Sequence, residues 1–521
     1  MARPGSQSDG LDNSPIDLLP PEILGEIFGL TITACMEAYD LDRLSYVTWY
    51  NFTFVSRHWR LVAINTPDIW STLLFHSWGT VSLMLERSKM ADLAINVNVY
   101  SIFPLVKRVI NEHTSRIAAM SLMVGQMGFS NLLAGLDERP PSLRLREIRL
   151  YRTIGNDQFF PNSILLPDRL QVLEAHGFNF AWEPLQSFPC LTHLTIGSTD
   201  LRVSLADFIT ALRGMPALEF LHLRNSLPSE PPFAPVQPAH VTKLRQLHIT
   251  STQGPSQISY FLPLITVPPT TNIRIRCVCN FRRRSIAVAE ISAFTSSLHS
   301  LIRGMHLEDD DSDSCHYKSI WVSPTGDGLK IAASMTDLEK DWPIAMDFEL
   351  TVCGYDPEDT IQEILPAFPQ DKILSLRLEI GYRSEILLEL SDSLPRLRHA
   401  TLFRESMPNF IAVLTLEKQL YPFQNLRDLT LDHATFSSRN HYGLEACELQ
   451  QCLEERSRSG AKLEKLNLIL CSGIYEHDIQ RLRDVVEVEW DGTSALVKVL
   501  HSRNSFTPYL SVGDALPMVM G

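Results

Sequence analysis

Residues 218–223 read Leu-Glu-Phe-Leu-His-Leu, and this pattern of apolar positions recurs through most of the chain. The apolar residues stand at the first, fourth and sixth positions, and the last three residues alternate as in a short β-strand with one buried face. Clear copies begin at Leu145, Leu191, Leu218, Leu244, Ile373, Leu426 and Leu463. Weaker copies begin at Ile117, Leu170, Thr270, Ile302, Ala345, Leu397 and Val485. The sequence therefore predicts a series of short strands.

The spacing of the copies indicates how these strands are connected. Most of the intervals between consecutive copies are 21 to 29 residues, as from Leu170 to Leu191 and from Leu397 to Leu426. This spacing resembles that of a leucine-rich repeat, in which each unit adds one strand and one returning segment. Because a single unit cannot bury its apolar face alone, the resemblance implies that neighbouring units stack into a solenoid.

The connecting segments and the irregular middle of the chain complete the prediction for fold. Residues 205–212 are predicted as a returning helix that buries Phe208, Ile209 and Leu212 on one face. The copies are irregular between residues 250 and 371, so an ordinary α/β domain with coincidental copies is the alternative. We expect an α/β solenoid over residues 80–500, in which short parallel strands alternate with helices or loops.

A different pattern precedes the repeats. Residues 18–28 read Leu-Leu-Pro-Pro-Glu-Ile-Leu-Gly-Glu-Ile-Phe, and prolines suit the first turn of a helix. The apolar residues that follow have helical spacing and are predicted to share one face: Ile23, Leu24, Ile27 and Phe28. A second helix is predicted to carry Val55, Trp59 and Val62 on one face and to end before Pro67, which disfavours a helical conformation in the preceding residue.

Residues 14–75 resemble an F-box of the kind expanded in fungi. The resemblance rests on an L-P-x-E-I-L-x-x-I-F run, a V-x-x-x-W helix and a T-P-x-I-W ending. It implies a small three-helix unit that docks on the Skp-type adaptor of a cullin–RING ubiquitin ligase. The residues that it implies for docking, or for holding the docking helices, are Leu19, Pro20, Ile23, Leu24, Ile27, Phe28, Val55 and Trp59. Residues 31–51 form a longer stretch than the usual pattern has, which predicts an added loop or helical turn.

The resemblance implies a substrate-recognition subunit of the ligase, with no catalytic residue, cofactor or metal of its own. The familiar nucleotide, zinc-protease and hydrolase motifs are absent from the sequence. From the residues alone, an interaction scaffold outside any ligase and an enzyme with an unrecognised site both stay open. The N-terminal pattern is also compatible with an ordinary helical hairpin that packs on the rest of the chain.

The variable residues between the buried leucines would form an exposed strand face that holds the substrate protein. The candidates for contact are Phe220, His222, His248, Arg377 and Asp428. Phe220 is the strongest of them, because aromatic anchors supply much of the energy of an interface. His222 and His248 have the same place in successive copies, which predicts a separation of about 5 Å if their strands pair in register. Two imidazoles are fewer than the ligands of a zinc site, and solvated side chains are the alternative for all five.

The composition of the chain limits the kinds of partner and the cellular compartment that we expect for it. The 521 residues are 45% hydrophobic and 20% charged, which is typical of globular proteins and long enough for several domains or a repeat array. The net charge of −14 argues against a general nucleic-acid binder.

No apolar run reaches the roughly 20 residues of a membrane helix. Nine cysteines without C-x-x-C pairs, and no signal peptide, favour the cytoplasm or nucleus. Residues 1–13, predicted to be disordered, and residues 501–521 are expected to be tails.

Overall fold

The chain divides into two compact units, Met1–Pro228 and Ser229–Gly521, in a computed structural model. The structure describes residues 19–37, 51–98, 103–124, 144–152, 160, 168–179, 188–197, 204–228, 230–231, 234–280, 284–305, 317–325, 328–335, 346–353, 357–415, 421–436 and 444–492. The predicted tails at residues 1–13 and 501–521 lie outside these ranges. The predicted boundary between residues 75 and 80 stays a prediction.

The first unit combines helices with one series of strands. Its helices are α1 Pro21–Glu37, α2 Phe52–Val55, α3 Arg57–Asn65, α4 Trp78–Arg87, α5 Phe103–His113 and α6 Leu205–Arg213, with 3₁₀ turns at Pro67–Trp70 and Thr114–Arg116. Its strands are β1 Thr72–Leu73, β2 Leu93–Asn98, β3 Ile117–Val124, β4 Glu147–Arg152, β5 Val172–His176, β6 His193–Gly197 and β7 Phe220–Arg224.

The first helices begin and end at local sequence signals. α1 begins at Pro21, where the missing N–H costs no helical hydrogen bond. α2 ends at Val55 because Ser56 is extended, and the Ser56 hydroxyl accepts a hydrogen bond from the Trp59 backbone N–H at 3.1 Å. Ser56 therefore caps the N-terminus of α3. The prediction of one helix carrying Val55, Trp59 and Val62 was wrong, because Val55 belongs to the separate helix α2.

The end of the helical segment is held by a buried tryptophan. α3 ends at Asn65, as predicted, and Thr66 is extended before the proline. The Trp70 side chain is 1% exposed, and its indole N–H donates to the carbonyl oxygen of Ala63 at 2.7 Å. The Arg87 guanidinium lies 4.3 Å from the centre of the Trp70 ring. Of the long stretch at residues 31–51, α1 takes the part up to residue 37, and residues 38–50 lie outside the described ranges.

The strands of the first unit pair in chain order from β1 to β7, and every pair is parallel. Burial alternates along each of the later strands: on β7, Leu221 and Leu223 are buried, whereas Phe220 and His222 are half-buried. The predicted return over residues 205–212 is the helix α6, and its three apolar residues, Phe208, Ile209 and Leu212, are buried as expected. The strands β6 and β7 and the helix α6 that connects them thus bury their apolar residues in one continuous layer.

The second unit repeats this plan with one interruption. Its helices are α7 Ser256–Phe261, α8 Arg284–Met305, α9 Pro357–Ile364, α10 Ser384–Ser393, α11 Met407–Leu414, α12 Ala446–Arg458 and α13 Glu476–Arg483. Its strands are β8 Ala239–His240, β9 Gln246–Ser251, β10 Ile265–Thr266, β11 Asn272–Asn280, β12 Ser319–Thr325, β13 Gly328–Ser334, β14 Met346–Cys353, β15 Ser375–Leu378, β16 His399–Phe403, β17 Asp428–Asp432, β18 Lys465–Ile469 and β19 Glu487–Trp490. Four 3₁₀ turns lie at Leu262–Leu264, Leu365–Ala367, Gln370–Lys372 and Arg404–Ser406.

The sheet of the second unit departs from chain order in its middle. Its strands pair in the order β9, β11, β14, β13, β12, β15, β16, β17, β18 and β19. β13 is antiparallel to both neighbours, and the other pairs are parallel. The copy expected at Ile302 was wrong, because that residue is buried in helix α8. β8 and β10 form a separate parallel pair.

The mixed α/β class, with parallel strands and helices, is therefore confirmed. All seven clear copies of the repeated pattern lead into strands: β4, β6, β7, β9, β15, β17 and β18. Within the described ranges, no helix has both the length and the apolar composition that a membrane crossing requires.

Candidate binding surfaces

One face of α1 carries three exposed aliphatic side chains. Ile23, Ile27 and Leu30 are 43%, 39% and 71% exposed. Their spacing of four and three residues places them on one side of the helix, and we call them the α1 stripe. An aliphatic row of this kind on a helix marks a surface that another protein can cover.

The other side of α1 is buried and holds the helix in place. Leu24, Phe28 and Ile32 are 0%, 1% and 6% exposed. The Phe28 ring stacks on Phe52 with 4.3 Å between centroids, and it lies 5.3 Å from the Trp59 ring. Contacts from both α2 and α3 therefore fix the rotation of α1 and keep the α1 stripe turned outward.

Further exposed apolar side chains lie on the two helices that follow. Phe54 and Val55 of α2 are 72% and 60% exposed, and Leu61 of α3 is 51% exposed. α2 is only four residues long, and the extended Ser56 separates it from α3. The first unit thus exposes apolar side chains on three consecutive helices.

The structure divides the eight residues proposed for adaptor docking into three groups. Pro20, Ile23, Ile27 and Val55 are exposed, whereas Leu24 and Phe28 are buried, and Leu19 and Trp59 are half-buried. The prediction that Ile23, Leu24, Ile27 and Phe28 share one face was wrong, because consecutive helical positions point about 100° apart. Sequence reasoning also missed three exposed residues: Leu30, Phe54 and Leu61. Leu30 could have been found, since it continues the spacing of Ile23 and Ile27.

A groove of about 810 Å³ runs beside α1, between it and the segment formed by α3 and the following 3₁₀ turn. Gly25 and Gly29 of α1 line it together with His58, Thr66 and Asp68. A Cβ atom at Gly25 would lie 3.2 Å from Thr66 Oγ1, so the two segments approach closely there. The groove is therefore narrow at Gly25.

The second candidate surface is the half-buried face of the strands in the first unit. Phe220 on β7 stacks on His193 of β6, with 4.1 Å between ring centroids and 12° between ring planes. The register places these residues directly opposite each other. Burial lowers the pKa of His193, which favours a neutral imidazole against the phenyl ring. Phe220 is therefore held in a fixed orientation, as a preformed contact residue requires.

A polar cluster lies next to this aromatic pair. The Glu174 carboxylate is 3.1 Å from His176 Nε2 and 3.5 Å from Arg149 Nε. Burial raises the pKa of Glu174, but hydrogen bonds from His176 and Tyr151 together with the Arg149 charge outweigh it and lower the pKa overall. The His176 ring also stacks on Tyr151 at 5.1 Å. These side chains hold one another in place, so the cluster makes the strand face more rigid.

Gly197 makes room for this cluster and gives a testable prediction. A Cβ atom at Gly197 would fall 2.1 Å from His176 Nδ1, and the His176 ring is held by Tyr151 and Glu174. We expect Gly197→Ala to displace the ring and to lower the free energy of unfolding by about 1–3 kcal/mol. Urea denaturation measures the change. Gly29→Ala is the matched control, because its Cβ has no neighbour within 4 Å, and it should leave stability equal or higher.

The depressed pKa of His193 predicts a pH dependence of stability. Burial is the largest cause and lowers the pKa. The charge of Glu219 raises it, that of Arg149 lowers it, and that of Glu147, the smallest cause, raises it. As the pH falls, His193 of the unfolded chain takes up a proton near pH 6.5, whereas His193 of the folded protein does so only at a lower pH. The stabilisation is therefore complete above about pH 6.5 and declines as the pH falls. Urea midpoints measured from pH 8 to pH 5 should fall less steeply in His193→Gln, and an unchanged slope would contradict the assignment.

In the second unit, two of the predicted contact residues already have partners. Arg377 lies 2.9 Å from Glu379, 3.8 Å from Asp432 and 5.1 Å from the centre of the Trp321 ring. Asp428 Oδ2 is 2.7 Å from His399 Nδ1. These side chains form a preorganised polar face with an aromatic residue on the strand next to β15.

The two histidines proposed as a pair lie in different units. His222 on β7 is opposite Thr195 of β6, and His248 on β9 is opposite Arg274 of β11. Their separation of about 5 Å stays a prediction. Among the residues that the structure describes, no three His, Cys, Asp or Glu side chains are grouped to hold a metal ion.

Comparison with known proteins adds no identification. The sequence matches no protein-family model. No curated protein matches it either. The function has to be inferred from these surfaces and from the sequence patterns that form them.

Proposed function

We propose that this chain is the substrate-recognition subunit of a cullin–RING ubiquitin ligase. The observation that carries the proposal is the α1 stripe, Ile23, Ile27 and Leu30, which lies within the segment whose sequence resembles an F-box. In this proposal a Skp-type adaptor covers the stripe and links the chain to the cullin. Covering exposed aliphatic residues lowers the free energy of the complex by about 25 cal/mol per Å² of apolar surface removed from water.

The buried side of α1 supports adaptor docking as much as the exposed side does. Docking of a helix face requires that the helix keep one orientation, and the contacts of Phe28 with Phe52 and Trp59 hold α1 in that way. A helix that is already ordered loses little conformational entropy on binding. The apolar residues Phe54 and Val55 of α2 extend the surface available to the same partner.

The strand faces are proposed as the surface that holds the substrate protein. Phe220, fixed by His193, is an aromatic residue of the kind that dominates binding energy at interfaces. Arg377 and Asp428 lie on equivalent faces of β15 and β17, and their partners fix their positions. Charged side chains of both signs on a fixed face select a partner by complementary charge.

The proposed mechanism is proximity. The helical segment anchors the assembly, and the strand face presents a bound protein to the ubiquitin carrier. Holding both reactants on one scaffold raises their effective concentration, so the chain itself needs to make or break no bond. The catalytic groups would belong to the other subunits of the ligase.

Co-expression with a Skp-type adaptor and a cullin tests the proposal. We expect the three proteins to elute together in size-exclusion chromatography. A complex with the adaptor that excludes the cullin would favour the scaffold function, in which the chain keeps its adaptor surface but acts outside a ligase. A chain that elutes alone would overturn the ligase function.

A further inference from the structure

A cluster of cations surrounds a cavity in the second unit. The cavity has a volume of about 320 Å³ and is lined by Lys318, Lys372, Leu374, Arg396, Arg398, Asn425 and Arg427. Five of these seven residues are cationic, and none of them is acidic. The cluster occurs in a chain whose net charge is −14. We call these seven residues the basic pocket.

The parallel strands bring the cations of the basic pocket together. Backbone hydrogen bonds join Leu374 N to Lys318 O at 2.7 Å, Arg398 N to Leu374 O at 2.7 Å, and Arg427 N to Arg398 O at 2.8 Å. These residues therefore occupy one row, in which neighbouring strands lie about 4.8 Å apart. Arg398 and Arg427 are next to each other in this row.

A second row of the basic pocket lies two residues earlier, in the turns that precede these strands. It contains Lys372, Arg396 and Asn425, each two positions before a member of the first row. Lys372 ends the 3₁₀ turn Gln370–Lys372, and Arg396 and Asn425 also lie in turns, so equivalent turns place this row beside the first along one cavity. The Asn425 side chain is fixed by its amide nitrogen, which donates to the carbonyl oxygen of Pro395 at 2.7 Å.

Most of this positive charge has no carboxylate beside it. Arg427 lies 3.0 Å from Glu464, and both side chains are more than half exposed. Among the described residues, the other four cations of the basic pocket form no ion pair. Like charges on neighbouring strands repel each other, so the cluster costs free energy unless an anion binds.

The fold itself does not require cations at these positions. In the first unit, Glu219 N donates to Thr192 O at 2.8 Å, which is the same backbone arrangement as between Arg427 and Arg398. Threonine and glutamate thus take the places that arginines take in the basic pocket. The residues two positions earlier are Cys190 and Ala217, where the basic pocket has Arg396 and Asn425.

We propose that the basic pocket binds a small molecule that carries two or more linked phosphate groups. Phosphate oxygens accept charge-assisted hydrogen bonds from lysine and in bidentate form from arginine. Five cations exceed the charge of a single phosphate, and a volume near 320 Å³ suits a small ligand. All seven residues belong to the second unit, so this site stands apart from the proposed adaptor surface and would survive the failure of that proposal.

Isothermal titration of the full chain with inorganic pyrophosphate and tripolyphosphate, in a buffer free of phosphate, tests the proposal. We expect both to bind at least about tenfold more tightly than orthophosphate or sulfate, and to bind less tightly as salt rises. Binding that is undetectable at millimolar pyrophosphate would overturn the proposal, and so would equal affinity for orthophosphate. Tighter and Arg398-dependent binding of a phosphoserine peptide would also overturn it, in favour of a phosphorylated protein.

Variants locate the site. Arg398→Ala and Arg396→Ala should each weaken pyrophosphate binding by about tenfold or more, the effect of one lost charge-assisted hydrogen bond. Both side chains are exposed, so thermal denaturation should match that of the unmodified chain, and either variant alone suffices if the other melts early. Arg146→Ala is the matched control, because Arg146 is exposed and has the equivalent place before β4. An equal loss in Arg146→Ala would show diffuse attraction and contradict a site.

Discussion

Replacing Ile27 by Asp is expected to weaken binding of a Skp-type adaptor by about thirtyfold or more, while the chain stays folded. Ile27 is the middle residue of the α1 stripe, and truncating an interface anchor costs roughly 2 kcal/mol or more. A carboxylate adds a further penalty, because the partner would have to desolvate it. Titration calorimetry with the purified adaptor measures the change in affinity.

A second exposed leucine provides the matched control for this prediction. Leu83 of α4 is 41% exposed, close to the 39% of Ile27, and it lies outside the proposed adaptor surface. Leu83→Asp should therefore keep the affinity of the unmodified chain. If both variants lose binding equally, the effect is one of charge or folding, and the assignment of the α1 stripe fails.

Replacing Phe28 by Ala is expected to lower the free energy of unfolding of the first unit by about 3–5 kcal/mol. Phe28 is 1% exposed and contacts the rings of Phe52 and Trp59. Its loss leaves a cavity among three helices, which costs free energy beyond the lost burial of the ring. Urea denaturation followed by tryptophan fluorescence measures the change, since Trp59 and Trp70 lie in this region.

The adjacent residue separates stability from binding. Ile27→Ala shortens a side chain that is 39% exposed, so its effect on unfolding should be about 1 kcal/mol, well below that of Phe28→Ala. Ile27→Ala should therefore lose adaptor affinity and keep most of the stability, whereas Phe28→Ala should lose several times more stability. Equal destabilisation by the two would mean that α1 has a different rotation from the one described.

The strands were predictable because their signal is local. In each clear copy the last two apolar residues stand two positions apart, and an extended chain must place them on one side. The register then follows, since slipping by one residue would turn Leu429 and Leu431 out of the core. Ile302 misled because apolar residues three and four apart also suit a helix, and α8 is a helix of 22 residues.

The direction of β13 cannot be read from its own apolar pattern. Alternating burial has the same period in parallel and antiparallel strands, so Leu329 and Ile331 give no sign of orientation. The short connection does give a signal: β12 ends at Thr325 and β13 begins at Gly328, and a Gly-Asp pair between two strands favours an antiparallel hairpin.

The candidate surfaces were predictable only in part, for two reasons. On α1, Ile23 and Leu24 are both apolar, and only packing decides which one the other helices cover. The basic pocket was missed because its residues come from separate copies, and Lys318 and Arg427 are far apart in sequence. The break at Ser56 had a visible signal, since serine is a preferred residue at the N-terminus of a helix.

Direct titration of the full chain with an isolated Skp-type adaptor is the most decisive measurement. The proposed function predicts a one-to-one complex with a dissociation constant of about 1 μM or tighter, weakened about thirtyfold or more by Ile27→Asp and kept by Leu83→Asp. No binding by the unmodified chain at about 100 μM adaptor would contradict it. The α1 stripe would then belong to another partner, and the assignment to a ubiquitin ligase would fall.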